Sequence, residues 1–428
     1  MKRIKIDGVD EKIIYEQMPN GLDVYLLPNK KVKNFYMTFN TKFGSLYTEF
    51  KKNNENTYTK IPNGVAHFLE HLKFKTANGD AMEYFADLGS SANAYTSFKV
   101  TCYEVYGFNH FKENLDYLLD FVQTPFFNKE MVEGEKGIIT EEIKMYEDNP
   151  TTNLSFEMNR SLFHNDHRKY LVSGTVADVK KTTLKDIETA YNTFYHPSNM
   201  FVIITGNFNP EEALAIIEQN QSSKNFPVGK EIKLKNIAEP AKVVKELSEV
   251  KCNVEIPKVN IGLKIPLSSF KSLKLDEVEL NIYLSSILNS NFGRTSELKE
   301  RLTRGNVITD GIVIQRYNTD DYIVINFLAE TPYPERYLSI MKEALKNITI
   351  SEEELLRKKR VAISNFILSF DDIDTINTWI QSDIILYGDI RTNLFELYNA
   401  LDLNIAKKVA DKISDKNMAV VILEPNDE

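Results

Sequence analysis

His67, Glu70 and His71 stand in the order H-x-x-E-H within residues 63–75, NGVAHFLEHLKFK. Residues four apart on a helix point the same way, so both imidazoles can reach one cation. A water on such a cation needs a base to take its proton and pass it to a leaving amine. Glu70, beside the second histidine, stands where that base belongs. The plainer reading is a surface helix with two solvated histidines. Placing two of the chain's six histidines one turn apart beside a carboxylate favours the metal.

The elements around these residues follow from periodicity. Val65, Phe68, Leu69 and Leu72 recur at helical spacing and mark the face packed on a core, leaving the histidines on another. The order H-x-x-E-H reverses the zincin H-E-x-x-H and matches the inverzincin signature. A catalytic zinc usually takes three protein ligands and keeps a fourth position for water, so a distant carboxylate is needed. Residues 128–148 read as a long helix with Met131, Glu135, Ile138, Ile139, Glu142 and Tyr146 on one stripe. Inward carboxylates are costly unless paired, hydrogen bonded or bound to metal. Glu142 is therefore a better third ligand than the adjacent Glu141. Glu135 either orients a ligand from behind or serves as a buried ion-pair partner.

Elsewhere, residues 22–27 and 34–42 read as strands joined in a hairpin, and 44–62 as a loop into the metal helix. A short helix over 81–88 precedes ANAYT, residues 92–96, a strand whose small residues keep its backbone accessible and which pairs with residues 100–108. An ordinary edge strand would look the same. A helix over 184–194, a strand over 200–205 and an asparagine-capped helix from Pro210 close the first half; His196, before Pro197, reads as structural. Strands at 254–265, 307–315 and 322–328, helices at 275–288, 334–346 and 352–368, and a strand at 418–423 repeat the plan. NMAVVIL near the end echoes NMFVIITG in the first half, without a second H-x-x-E-H. The expectation is a duplicated α+β fold: a zinc-binding domain over 1–222, a linker over 223–244, and a homologous metal-free domain over 245–428.

With 428 residues the chain exceeds what one core usually supports. A net charge of −9 without a basic patch argues against nucleic acid as a partner. No apolar run is long enough to span a membrane. The basic N-terminus lacks the apolar stretch of a secretory signal, and the two cysteines, Cys102 and Cys252, show no metal spacing. A cytoplasmic location is expected.

HFLEHLKFK, SSANAYTS, EGEKGIITEEI and YHPSNM occur in the order found in pitrilysin/insulinase-type zinc metallopeptidases, and the chain resembles the short branch that includes processing-peptidase subunits. The resemblance implies one zinc held by His67, His71 and Glu142, Glu70 as general base, and Glu135 as an active-site carboxylate behind the metal. It also implies a peptide bound as an added strand along Ala92, Asn93 and Ala94. Arg301 matches an arginine that holds substrate backbone, but Ile308 stands where its tyrosine partner is usual. Such chambers close from two halves, each of two domains, so this chain would form one half of a clam-shell. The implied partner is a homologous metal-free subunit carrying the complete pair, with a second copy of this chain as the alternative. The competing function is a peptide-binding or scaffold subunit that retains the zinc site without catalysis.

Overall fold

An apolar, largely β-branched segment lies at the centre of each half of the chain. MFVIITG, Met200–Gly206, is buried at every position, and MAVVILEP, Met418–Pro425, is buried over its middle five. Such runs are stable when strands flank both edges and other elements cover both faces. The computed structural model, which describes residues 1–426, provides both.

In chain order the first half comprises β1 (Lys2–Lys5), β2 (Lys12–Gln17), β3 (Asp23–Pro28) and β4 (Phe35–Thr41). Helices α1 (Val65–Lys73) and α2 (Ala81–Asp87) lead to the pair β5 (Ser91–Thr96) and β6 (Thr101–Gly107). Then come α3 (Phe111–Gln123), α4 (Lys129–Asp148), α5 (Pro150–Leu162), α6 (Val176–Lys181) and α7 (Leu184–Phe194), before β7 (Met200–Gly206) and α8 (Pro210–Ser222). The second half opens with β8 (Leu247–Cys252) and β9 (Lys258–Pro266). It continues through α9 (Glu277–Asn291), α10 (Glu297–Arg304), β10 (Val313–Asn318) and β11 (Tyr322–Glu330). It ends with α11 (Pro334–Lys346), α12 (Glu352–Leu368), α13 (Ile373–Tyr387), α14 (Leu394–Asn399), α15 (Leu403–Ala410) and β12 (Met418–Pro425).

The first sheet has the spatial order β1-β2-β3-β7-β4-β6-β5 and the second β8-β12-β9-β11-β10. From β3 onward the two agree pair for pair: the first contact is parallel and the next three antiparallel. NMFVIITG and NMAVVIL thus fill the same slot, and the α+β duplication extends to the hydrogen-bond pattern.

Several expectations change. β3 and β4 form no hairpin, because the apolar β7 lies between them, parallel to β3 and antiparallel to β4. A segment buried on both faces takes the middle of the sheet, and local sequence cannot announce such an insertion. Val307 and Ile308 are buried before the strand, which starts only at Val313.

The division at one linker gives way to an exchange. One compact unit is built from Met1–Ile143, Leu171–Asn236 and Phe366–Asn393; the other takes Lys144–Tyr170, Ile237–Asn365 and the chain from Leu394. α5, from the first half, lies on the second sheet, where Leu154, Met158 and Leu162 join Val324, Ala419, Val421 and Leu423 in one core. α13, from the second half, lies on the first sheet. There Thr38 donates to Asn377 Oδ1 at 2.8 Å, Gln381 donates to Asn40 Oδ1 at 2.6 Å, and Thr205 donates to the Ile373 carbonyl at 2.8 Å. Each is the third helix after its hairpin, so the exchange is reciprocal. Periodicity shows that a helix has a buried face but not which sheet covers it. The expected linker also contains a short strand, Ile232–Leu234, paired antiparallel with Glu49–Lys52 in the first unit.

Candidate metal centre

α1 starts from Gly64, whose φ of 82° lies in the left-handed region. A Cβ on Gly64 would fall 2.1 Å from the Ser173 carbonyl oxygen, so glycine lets the loop pass over the helix start. The helix buries Val65, Phe68, Leu69 and Leu72 in the core of the first unit, as the spacing predicts. Its remaining face carries His67, Glu70 and His71, the first two buried.

α4 brings the carboxylates. It buries Val132, Glu135, Ile139 and Ile143, whereas Ile138, expected on that stripe, is 56% exposed. Neighbouring residues on a helix are turned about 100° apart, so Ile138 and Ile139 cannot both face the core. The stripe through Ile139 and Ile143 carries Glu135 and Glu142 to α1.

Glu142 faces both histidines: Oε1 is 3.4 Å from His67 Nε2, and Oε2 is 3.3 Å from His71 Nε2. His71 Nδ1 lies 3.0 Å from Glu135 Oε1. An ionised carboxylate only accepts, so in a neutral imidazole the proton sits on Nδ1 and the Nε2 lone pair points at Glu142. Lone pairs facing each other at that range call for a cation between them. Ligands about 2.0–2.2 Å from a tetrahedral zinc stand roughly 3.3–3.5 Å from one another, which fits both spacings. The same surroundings act on a proton: burial alone would lower the pKa of His71, but the hydrogen bonds its ring donates to Glu135 and Glu142 prevail and push it up to about 9. The residues present therefore fit a zinc ion.

Glu70 is 8% exposed and accepts a hydrogen bond from the Thr96 hydroxyl at 2.5 Å. Burial raises its proton affinity, opposed most by nearby His67. Glu135 is held from two sides, by His71 and by the Lys75 ammonium. Burial would raise its pKa, but these two partners bring it below the usual carboxylate value. Sequence reasoning assigned no role to Lys75 or Thr96. The alternation of ANAYT held the signal for Thr96, which shares the inward side of β5 with Ala92 and Ala94.

β5 is the last strand of its sheet and pairs only with β6 among the described residues. Ala92 and Ala94 pack against the core, while Asn93 is exposed on the alternate side. The structure thus joins His67, Glu70, His71, Glu135 and Glu142 directly, and β5 through Thr96. Arg301 belongs to the second unit, exposed on α10; Ile308 is 4% exposed in that unit's core. His196 is held by Ser198 and by the Pro227 carbonyl, a structural role as expected. Both cysteines are free and buried, and no helix among the described residues is long and apolar enough to cross a membrane.

Residues 54–175 match the family described as insulinase (peptidase family M16), and residues 181–361 match the peptidase M16 inactive domain. The chain is 32% identical over 422 residues to the uncharacterised zinc protease YmfH of Bacillus subtilis, covering 97% of this chain and 96% of that one. It is 25% identical over 427 residues to an Arabidopsis thaliana protein named "Probable mitochondrial-processing peptidase subunit beta", covering 95% of this chain and 77% of the relative. The crystal structure of an M16-like peptidase from Alicyclobacillus acidocaldarius superposes with a TM-score of 0.91 at 26% identity, covering 99% of this chain and 100% of that one.

Proposed function

Because this chain belongs to the insulinase (M16) peptidase family, we propose that it is a zinc-dependent peptidase acting on peptides or unfolded segments of polypeptide. The observation that carries this reading is the convergence of both histidine Nε2 atoms on the two oxygens of Glu142, with Glu70 buried on the same helix. His67, His71 and Glu142 hold the metal. Glu135, itself held by Lys75, keeps His71 in the tautomer that presents Nε2.

A bound zinc supplies an electrophile for the scissile carbonyl and lowers the pKa of a water. The protein supplies the rest. A peptide laid along the free edge of β5 gains main-chain hydrogen bonds beside Ala92, Asn93 and Ala94, which demand little of its sequence. Glu70 takes a proton from the attacking water and returns it to the leaving amine. Arg301 is assigned to substrate backbone on the family resemblance.

A relative named as a subunit supports an assembled enzyme, and the partner proposed is a homologous metal-free chain, with a second copy of this chain as the alternative. A cytoplasmic setting belongs to the same proposal. One observation favours the competing reading of a non-catalytic subunit: Ile308 is sealed in the core of the second unit and offers Arg301 no hydroxyl partner. Activity that appears on mixing with the partner and requires His67 of this chain assigns catalysis here.

Glu70→Gln tests the proposal. The variant should retain zinc while cleavage of quenched peptides falls by about 10²–10⁴-fold, the usual contribution of a positioned base. Undiminished hydrolysis by that variant would refute it.

A further inference from the structure

Thr96 is the last residue of β5, and its side chain leaves the strand on the side of α1. Its hydroxyl reaches Glu70 Oε2 at 2.5 Å. The neighbouring hydroxyl, Thr101 Oγ1, lies 3.3 Å away but donates its own proton to the Phe43 carbonyl at 2.9 Å. Thr101 therefore offers Thr96 only an acceptor, at 3.3 Å, and the Thr96 proton goes to the nearer and more strongly accepting carboxylate at 2.5 Å.

The backbone that carries Thr96 is fixed as well. Thr96 pairs with Thr101 at the end of the β5–β6 ladder. The turn beyond is closed by Ser97 N–H to the Val100 carbonyl at 2.8 Å. Ser45 and Leu46 N–H then donate to the Ser97 and Phe98 carbonyls at 3.0 and 3.1 Å. Gly44 lies so close to this turn that a Cβ would come within 2.5 Å of Phe98 backbone carbon and the Ser97 oxygen. A hydroxyl anchored this firmly defines where one oxygen of Glu70 rests.

We infer that Thr96 is a positioning residue for Glu70, so that the edge strand offered to the peptide also sets the orientation of the base. The inference rests on the peptidase reading for its catalytic consequence, though the contact itself does not. A hydroxyl both donates and accepts, so the contact survives when Glu70 has taken a proton, as carboxylic acid to hydroxyl oxygen. Thr96 forms no bond to substrate and keeps its own oxygen throughout. Its role is to hold the carboxylate within reach of a water on one side and a leaving amine on the other. Misplacement of a reacting group by about 1 Å can cost about 100-fold in rate.

The test pairs Thr96→Val, which keeps the branched shape suited to a strand, with Thr96→Ser, which keeps the hydroxyl. In the zinc-loaded full chain, Thr96→Val should lower kcat by about 10–100-fold with KM within about twofold and zinc content unchanged. Thr96→Ser should recover most of the loss. A crystal structure of Thr96→Val should find the Glu70 carboxylate displaced. Wild-type kcat in Thr96→Val, equal losses in both variants, loss of zinc with the hydroxyl, or an unmoved Glu70 would each overturn the inference. If the wild-type chain cleaves no peptide either alone or mixed with its partner, the peptidase reading falls, while the position of Glu70 in Thr96→Val still decides whether Thr96 holds it.

Discussion

Between β4 and β5 the first copy places α1 and α2; between β9 and β10 the second copy places α9 and α10. α9 buries Val278, Leu280, Ile282, Tyr283, Leu284, Ile287 and Leu288, apolar on nearly every side, as a helix enclosed in a core should be. α1 buries a comparable stripe but also His67 and Glu70, at a cost that only engaged polar groups can offset. α4 offers Glu135 and Glu142 to that face, whereas its counterpart α12 buries Leu355 and Phe366. The same five-stranded frame thus carries a cluster of buried histidines and carboxylates in one copy and apolar packing in the other, decided by a few side chains on two helices.

The exchanged helices differ in the opposite sense. Beneath α13 the polar groups of the first sheet find partners in Asn377 and Gln381. On the second sheet, which α5 covers, both polar atoms of the Asn260 side chain and Oδ1 of Asn326 are buried without hydrogen-bond partners. The unit that bears the metal residues therefore also has the more fully satisfied polar layer.

Removing a metal ligand should break the comparison most severely. His67→Ala should abolish zinc binding and lower peptide cleavage by at least about a thousandfold, measured by elemental analysis and initial rates. Next is a pair of lysines in the same register, Lys42 and Lys264, whose N–H groups donate to Asn199 and Asn417. Lys264 is buried against Glu239 and donates to the carbonyls of Leu162 and Pro240, whereas Lys42 lies 5.9 Å from the Phe201 ring centroid. Chemical denaturation should show Lys264→Met losing about 3 kcal/mol, because Glu239 loses its cation while the Leu162 and Pro240 carbonyls lose their donor, and Lys42→Met less than about 1 kcal/mol.

Asp383 on α13 gives a pH dependence. Burial raises its carboxyl to about 6, opposed by the hydrogen bond from Arg391 N–H at 2.7 Å. Its folded value exceeds the unfolded one, near 4, so its contribution to stability is complete below about pH 4 and is lost as pH rises through about 6. Asp383→Asn should remove that decline, on the order of 2 kcal/mol, which melting curves from pH 4 to 7 would detect. Smaller still is a matched pair in the two sheets. Thr38→Val should cost about 1 kcal/mol by leaving Asn377 Oδ1 without its donor, whereas Asn260→Leu should be neutral or slightly stabilising.

The clustering of the candidate metal residues was legible because its logic is local to two helices. A four-residue spacing aligns His67 with His71, and a seven-residue spacing aligns Glu135 with Glu142. The family resemblance then gave these residues roles that spacing alone left open. What stayed hidden depends on distant parts of the chain: β7 inserting between β3 and β4, and α5 and α13 crossing to each other's unit. Ile138 was misplaced because two adjacent isoleucines leave the rotation of α4 undetermined. Thr96 and Lys75 act through contacts 26 and 60 residues away; strand alternation gives the side on which Thr96 lies but not its partner, and Lys75 follows no spacing rule.

The contrast between the copies is tested most directly by the zinc content of the purified chain beside that of its His67→Ala variant. One zinc per wild-type chain and none in the variant is the expected result. Two per chain, or one retained after His67 is removed, would contradict a single metal centre held by α1 and α4.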